Sequence, residues 1–268
     1  MFQATVFFLY VSAGTAFAAS RLPRLADSAN MLLTLAFLLS ATGIMWHCFV
    51  LLAAILLEGG LSLTLGNAAS FIGLQLALIA ILGAIEPTLR GLSGGLLYLG
   101  AIAATFTSAQ VSDTTIVELS WQLQAHVLIA LFAYGLLTAG AIVAVYALVQ
   151  DARLRAGRLT AVNHLFAPLE TNERLLYGIA ASGLAVLVIA VLSGFTFVDD
   201  LFAQHLVHKS TFSIAAVVIF SVLLTGRHFA GWRGRRAVYL YLWGFLMLGL
   251  AYFGSRFVLE ILLGRNWG

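Results

Sequence analysis

Histidines are the residues of this chain whose types and positions most clearly indicate chemistry, because imidazole binds metal ions and carries protons near neutral pH. Six are present, and four are predicted to lie toward the same side of a membrane: His47, His126, His205 and His208. His47 and His126 lie inside long apolar runs, where a polar side chain is costly to bury and is therefore a functional suspect. The pattern predicts a site for a metal or cofactor near that side.

Neutral imidazole is a good axial ligand for haem iron, and such sites in helix bundles use side chains from facing helices. His47 and His126 are predicted at matched depth, with Trp46 beside the first and Gln122 and Tyr134 on the helix of the second. An aromatic, hydrogen-bonding lining of this kind suits a porphyrin. The alternative is that each histidine only bonds a neighbouring helix or a water. Neither spacing defines a metal motif.

Charged side chains near the same side could complete such a site. Lys209 stands at the predicted outer end of an apolar run beside His208, which is a possible substitute iron ligand. Lys209 either anchors the helix at the membrane interface or neutralises an anion such as a haem propionate. Arg256 could serve the same purpose, or it could pair with Glu260 one helical turn away.

The elements that must position these residues are membrane helices. The 268 residues are 62% hydrophobic and 9% charged, with a mean hydropathy of +1.01, whereas a soluble domain carries about 25% charged residues. Each apolar run is long enough to cross ~30 Å of hydrocarbon. The sequence predicts an all-α, polytopic membrane helix bundle forming one integral membrane domain over 1–268. The predicted spans are 2–20, 30–57, 67–86, 92–109, 121–149, 174–196, 209–226 and 237–263.

The basic residues predict the orientation of this bundle. Eleven of the fourteen Lys and Arg residues fall in alternate gaps between the spans. By the positive-inside rule those gaps are cytoplasmic, so both termini are predicted outside. Residues 16–20 resemble a signal-peptidase site, but the positive charges follow the first apolar run instead of preceding it, which favours a retained first helix.

Other classes of function find little support in the sequence. The basic balance reflects arginines flanking membrane helices and does not indicate nucleic-acid binding. The single cysteine, Cys48, excludes an internal disulfide framework, and no Cys-x-x-Cys-His is present for c-type haem attachment. No catalytic constellation is found, so we expect a protein that is not an enzyme. The run Gly231–Arg236, one tryptophan with three arginines, is typical of a lipid headgroup anchor.

The order of motifs in the C-terminal half resembles the cytochrome c assembly family, which includes the CcsA/ResC and CcmC haem-handling proteins and the HemX-like proteins. The motifs are Lys209-Ser210-Thr211, the run from Gly231 to Ala237, Gly244-Phe245 and Tyr252-Phe253-Gly254. Upstream, Gln122 to Val127 with Tyr134-Gly135 is similar to the family's outer histidine helix. The resemblance implies a bacterial inner (cytoplasmic) membrane protein that binds haem b.

The chain departs from the synthase and export members of that family. Their tryptophan-rich outer loop corresponds to 197–208, which has no tryptophan, and Thr225 stands where the CcsA-type members have a histidine. Their final outer histidine has no counterpart after the Tyr-Phe-Gly motif. His126 is the family ligand position that is kept, and the chain resembles the short, HemX-like branch.

Three functions follow from these observations. The first is holding haem b near the outer face through His126 and His47, with His208 as a substitute, and Lys209 or Arg256 on a propionate. The second is regulation of haem synthesis or of a partner membrane protein through the cytoplasmic loops. The third is a transporter or permease subunit, which unbroken spans disfavour. Expected partners are the lipid bilayer and, from the resemblance, cytochrome c assembly or haem-synthesis proteins, with no nucleic acid.

Overall fold

The computed structural model of the chain describes residues 2–57, 60–61, 64–107, 120–157, 165–197 and 207–254, and these are almost entirely helical. The α-helices of this part are α1 (Phe2–Ala19), α2 (Ala29–Ile55), α3 (Leu65–Gly83), α4 (Arg90–Ala104), α5 (Trp121–Arg155), α6 (Leu169–Phe197), α7 (Val207–Ala230) and α8 (Arg235–Gly249). Short 3₁₀ turns at Pro23–Ser28 and Pro87–Leu89 precede α2 and α4. A π-helical turn, Leu250–Gly254, continues α8.

These helices match the eight predicted spans in number and order, so the prediction of an all-helical membrane bundle is confirmed at that level. Within the described residues, six helices are long and apolar enough to cross a membrane. The other two, α4 and α8, have 15 residues each. The sequence did not predict the two-residue antiparallel strands β1 (Leu56–Leu57) and β2 (Gly60–Leu61), which pair in the gap between α2 and α3.

The boundaries of α5 and α6 differ from the prediction, because helix continues beyond the apolar stretch at the predicted cytoplasmic end. Helix α5 runs to Arg155 instead of 149, and α6 begins at Leu169 instead of 174. Arg155 pairs with Asp151 one turn earlier, with 3.1 Å between Nε and Oδ1. Basic side chains at the end of a helix also complement its dipole, which favours this extension.

The chain divides into two compact units, and α5 and α6 contribute residues to both. Unit 1 comprises Met1–Val117 and Val145–Arg174, and unit 2 comprises Glu118–Ala144 and Leu175–Gly268. In unit 1, α1 packs against α2 and α4, and α3 packs against α2 and α4. A side chain at Gly14 would lie 2.9 Å from the carbonyl oxygen of Gly94, so glycine is what permits the close approach of α1 and α4.

In unit 2, α7 packs against α8, and the ring of Phe220 meets that of Tyr241 at a centroid distance of 5.1 Å. The Tyr241 hydroxyl donates to the carbonyl oxygen of Leu137 on α5 at 3.1 Å. Large apolar side chains in both units point outward; Met45, for example, is 74% exposed. This distribution suits lipid as the surrounding solvent, because lipid chains are as apolar as a protein core.

Candidate functional site

Unit 2 contains a cavity of about 220 Å³ whose wall is mostly apolar, with a few polar groups from α5, α7 and the π-helical turn. It is lined by His126, Val127, Ala130, Leu131, Tyr134, Leu187, Ala190, Val191, Gly194, Phe195, Lys209, Ser210, Ser213, Ile214, Ala251 and Tyr252. An apolar pocket with a few convergent polar groups is the usual form of a small-molecule site. The cavity brings together three of the predicted residues, His126, Tyr134 and Lys209.

The His126 imidazole is held in a fixed orientation by α6. Its Nδ1 lies 2.9 Å from the Ser193 hydroxyl oxygen, and that hydroxyl is 2.8 Å from the carbonyl oxygen of Ala190. A carbonyl oxygen only accepts, so the single hydroxyl proton of Ser193 goes to Ala190 and Nδ1–H donates to Ser193. The Nε2 atom is then the basic nitrogen of the neutral ring.

Helix α6 approaches this ring closely because it carries glycine there. A β-carbon at position 194 would lie 3.0 Å from the Cε1 atom of His126. That distance is tighter than ordinary carbon contacts, so a larger residue at Gly194 would press on the imidazole. Gly194 therefore helps to position the His126 ring.

Tyrosines and one lysine make up much of the remaining polar lining. The Tyr134 hydroxyl donates to the carbonyl oxygen of Leu248 at 2.8 Å, and its ring lies 5.7 Å from that of Tyr252. Tyr252 belongs to the π-helical turn, a local irregularity that is frequent at functional sites. Lys209, in the first turn of α7, supplies a cationic group to the same wall.

His47 has a different environment in unit 1, where it is 1% exposed and both of its ring nitrogens are engaged. Its Nδ1 lies 3.2 Å from the Tyr10 hydroxyl, and its Nε2 lies 2.8 Å from the Ser70 hydroxyl. Ser70 continues to the Thr107 hydroxyl at 2.6 Å, and Thr107 donates to the Ala104 carbonyl oxygen at 2.9 Å. We call these four side chains, Tyr10, His47, Ser70 and Thr107, the buried polar chain.

The carbonyl oxygen of Ala104, which can only accept, determines the direction of every hydrogen bond in the buried polar chain. Because Thr107 must donate to a carbonyl, its hydroxyl oxygen accepts from Ser70, and Ser70 in turn accepts from His47. Neutral His47 is therefore the Nε2–H tautomer, and its Nδ1 accepts from Tyr10. To bind iron through Nε2, His47 would have to give up its bond to Ser70.

The other predicted site residues lie apart from the cavity lining or outside the described residues. Trp46 belongs to unit 1, where its ring lies 5.8 Å from those of Phe2 and Phe49. Gln122 is in the first turn of α5 and is not among the residues that line the cavity. His208 is in the first turn of α7 but its side chain is not described, and Arg256 and His205 lie outside the described residues.

Sequence reasoning missed Ser193, Tyr10 and Ser70, which hold the two histidines. All three are polar residues within apolar helices, and a list of intramembrane polar side chains would have included them. Among the described residues, no group of three or more His, Cys, Asp or Glu side chains could hold a metal ion. Any iron at His126 would thus need most of its ligands from another source, as haem iron has from its porphyrin.

Comparison with known proteins gives one family and a small set of relatives. The profile of the family described as "Cytochrome C assembly protein" matches residues 30–263. The Escherichia coli K12 protein named "Inner membrane protein YpjD" is 30% identical over 235 residues, covering 85% of this chain and 88% of the relative. An Azospirillum brasilense protein named "Uncharacterized 28.8 kDa protein in nifR3-like 5'region" is 30% identical over 173 residues, covering 62% and 64%. No solved structure matches the chain.

Proposed function

This chain belongs to the cytochrome c assembly protein family, and from that premise we propose that it holds haem b in the bacterial inner membrane with His126 as an axial iron ligand. The observation that carries the proposal is the state of His126. Its Nδ1 is engaged by Ser193, Nε2 is the basic nitrogen, and the ring lies on the wall of an apolar cavity. A ligating histidine usually has its second nitrogen hydrogen-bonded in this way, which fixes its tautomer and orientation.

The residues of unit 2 fit haem in kind. The apolar lining suits the faces of a porphyrin, and Lys209 offers a cation for a propionate carboxylate. The cavity of about 220 Å³ is smaller than the ~300–1,000 Å³ of typical small-molecule sites, so it would enclose only part of the porphyrin. Bound haem would supply an iron that takes imidazole nitrogen and can change its redox state.

The protein's own contribution is binding, orientation and exclusion of water. Ser193 holds the imidazole by Nδ1 on the wall of the cavity, and Gly194 leaves room for the ring. Lys209 would offset the charge of a carboxylate that is otherwise costly to place next to apolar side chains. We propose holding or relaying haem, with no reaction catalysed by the chain. His47 and His208 stay the predicted second ligands, although His47 would first have to leave Ser70.

The experiment is an ultraviolet–visible spectrum, oxidised and dithionite-reduced, of the detergent-purified full chain after haem is supplied. We expect the Soret and reduced bands of a b-type cytochrome in the wild type and their loss in His126→Ala. Ser193→Ala should weaken haem affinity about 10–100-fold, the usual effect of removing the partner of a ligating histidine. Ser182→Ala on the same helix is the matched control, because among the residues that the structure describes its hydroxyl bonds only Gly178 and Ile179 of its own helix.

The same titration with His47→Ala tests the second ligand. If the haem bands are lost in His126→Ala and kept in His47→Ala, the second iron ligand is a group other than His47. A wild-type protein without haem bands, or a His126→Ala protein with normal bands, would contradict the proposal.

A further inference from the structure

We propose that the turn between α7 and α8 is a site for the phosphate of an anionic phospholipid. We call residues 226–236 the arginine turn. Its basic side chains are Arg227, His228, Arg233, Arg235 and Arg236, and no Asp or Glu occurs anywhere between 201 and 259. Like charges at short distance repel one another, so a segment with this many basic side chains within ten residues attracts anions.

The backbone of the arginine turn is held in one conformation by bonds to the neighbouring helices. The Trp232 N–H donates to the carbonyl oxygen of Gly226 at 3.1 Å, and the Tyr177 hydroxyl donates to the Trp232 carbonyl oxygen at 2.6 Å. A β-carbon at position 226 would lie 2.2 Å from the Trp232 ring, so only glycine admits the ring there. The Trp232 ring is therefore a fixed part of the turn, and it forms a platform on which a guanidinium group can stack.

Two guanidinium groups stack on aromatic rings beside this platform. The Cζ atom of Arg236 lies 3.8 Å from the centroid of the Trp232 ring, and that of Arg227 lies 4.9 Å from the centroid of Tyr177. Stacking uses the face of a guanidinium, and its N–H donors lie at the edge in the fork geometry that recognises phosphate. It also restricts two flexible side chains before any ligand arrives, which lowers the entropic cost of binding.

The start of α8 adds to the positive potential. Arg235 and Arg236 are the first two residues of that helix, and Gly234 precedes them without a capping side chain. The amino end of a helix dipole already carries partial positive charge, so cations in this position are unfavourable unless an anion is present. An anionic phosphate would offset both the dipole and the guanidinium charges.

Apolar side chains beside the arginine turn select a phospholipid over a free anion. Phe229 is 83% exposed, and on α8 Tyr239 and Trp243 are 51% and 57% exposed. Aromatic side chains of this kind lie at the boundary between headgroups and acyl chains. The predicted orientation places this turn at the cytoplasmic leaflet, whose anionic lipids attract basic segments. The ligand thus has a phosphodiester for the arginines and acyl chains for the aromatic residues.

The test is native mass spectrometry of the detergent-purified full chain, titrated separately with phosphatidylglycerol, phosphatidylcholine and soluble glycerol 3-phosphate. We expect phosphatidylglycerol to bind several-fold more than phosphatidylcholine. Arg236→Gln should reduce phosphatidylglycerol binding about tenfold, the effect of losing one hydrogen bond to a charged group. Arg236→Lys should lose less, because it keeps the charge but not the stacked fork. Arg155→Gln removes one exposed arginine in unit 1 and should change nothing.

Three outcomes would overturn the site. Equal binding of the two lipids would show that charge is not selected, and an equal loss in Arg155→Gln would show that only net charge matters. Displacement of the lipid by glycerol 3-phosphate at comparable concentration would indicate a free-anion site instead. If Arg236→Gln does not fold, Arg233→Gln, at an exposed position of the same turn, tests the same loss of affinity.

Discussion

At the scale of single residues, the two intramembrane histidines differ in what their ring nitrogens can do. His126 has one nitrogen held by Ser193 and lies on the wall of a cavity, whereas His47 has both nitrogens engaged within the buried polar chain. A buried polar group is inexpensive only while each of its donors has an acceptor. His47 therefore contributes to the stability of unit 1, and His126 is the histidine that we propose as the iron ligand.

Removing the middle of the buried polar chain should destabilise unit 1. In Ser70→Ala, the Nε2–H of His47 loses its acceptor in a site without exposure, which costs about 1–3 kcal/mol. Thermal unfolding in detergent should show a lower midpoint. Ser40→Ala is the matched control: Ser40 is equally buried on α2, but its hydroxyl donates to Phe37 of its own helix, so the loss should stay below about 1 kcal/mol. Equal losses of stability in the two variants would contradict the hydrogen-bonding role assigned to His47.

At the scale of elements, contacts between helices depend on where glycine allows backbones and rings to approach. In unit 2, a β-carbon at Gly140 of α5 would lie 1.9 Å from the hydroxyl oxygen of Tyr241 on α8 and 2.9 Å from Cγ2 of Ile179 on α6. The Tyr241 hydroxyl bonds the α5 backbone one turn earlier, at Leu137. The glycine and the tyrosine thus join three helices of the same unit.

Gly140→Ala should therefore separate these helices, with a cost of about 1–3 kcal/mol, the usual range for overpacking a well-packed interior. Gly178→Ala on α6 is the control, since no described atom lies within 4 Å of a β-carbon there. That change should be neutral or should stabilise the helix by up to about 1 kcal/mol. Thermal unfolding in detergent compares the two variants. A Gly140→Ala protein as stable as the control would mean that α8 can move away from α5 without a loss of stability.

At the scale of the whole molecule, the alternating basic gaps predict which loops face the cytoplasm, independently of how the helices pack. The loop before α5 lacks Lys and Arg, whereas the last turn of α5 carries Arg153 and Arg155, and Arg158 follows it in the sequence. Basic residues near span ends set orientation during insertion. The outer position of the His126 end of α5 rests on this prediction.

Cysteine labelling in intact cells tests the orientation. In a Cys48→Ala background, Ser120→Cys at the start of α5 should react with a membrane-impermeant maleimide. Ala156→Cys just after the same helix should react only once the cells are permeabilised, because its side is predicted to be cytoplasmic. Both positions are exposed, so accessibility within the protein does not distinguish them. The reverse pattern would place the cavity toward the cytoplasm and would reject the predicted topology.

The number and order of the helices were predicted from the sequence alone, because about twenty consecutive apolar residues favour a helix long enough to cross a membrane whatever its neighbours are. His126, Tyr134 and Lys209 were also identified from sequence, since polar groups are rare in such spans. Which faces of the helices meet was decided only by the tertiary structure. Lipid is as apolar as the protein interior, so no polar stripe in the sequence marks the buried face.

For that reason the partners of the two histidines could not be predicted. Ser193 lies 67 positions from His126, and Ser70 lies 23 positions from His47. Only the close packing of α5 with α6, and of α2 with α3, brings each pair within hydrogen-bonding distance. The sequence supplied two similar histidines, and the packing determined that both ring nitrogens of one are engaged while the ring of the other lines a cavity.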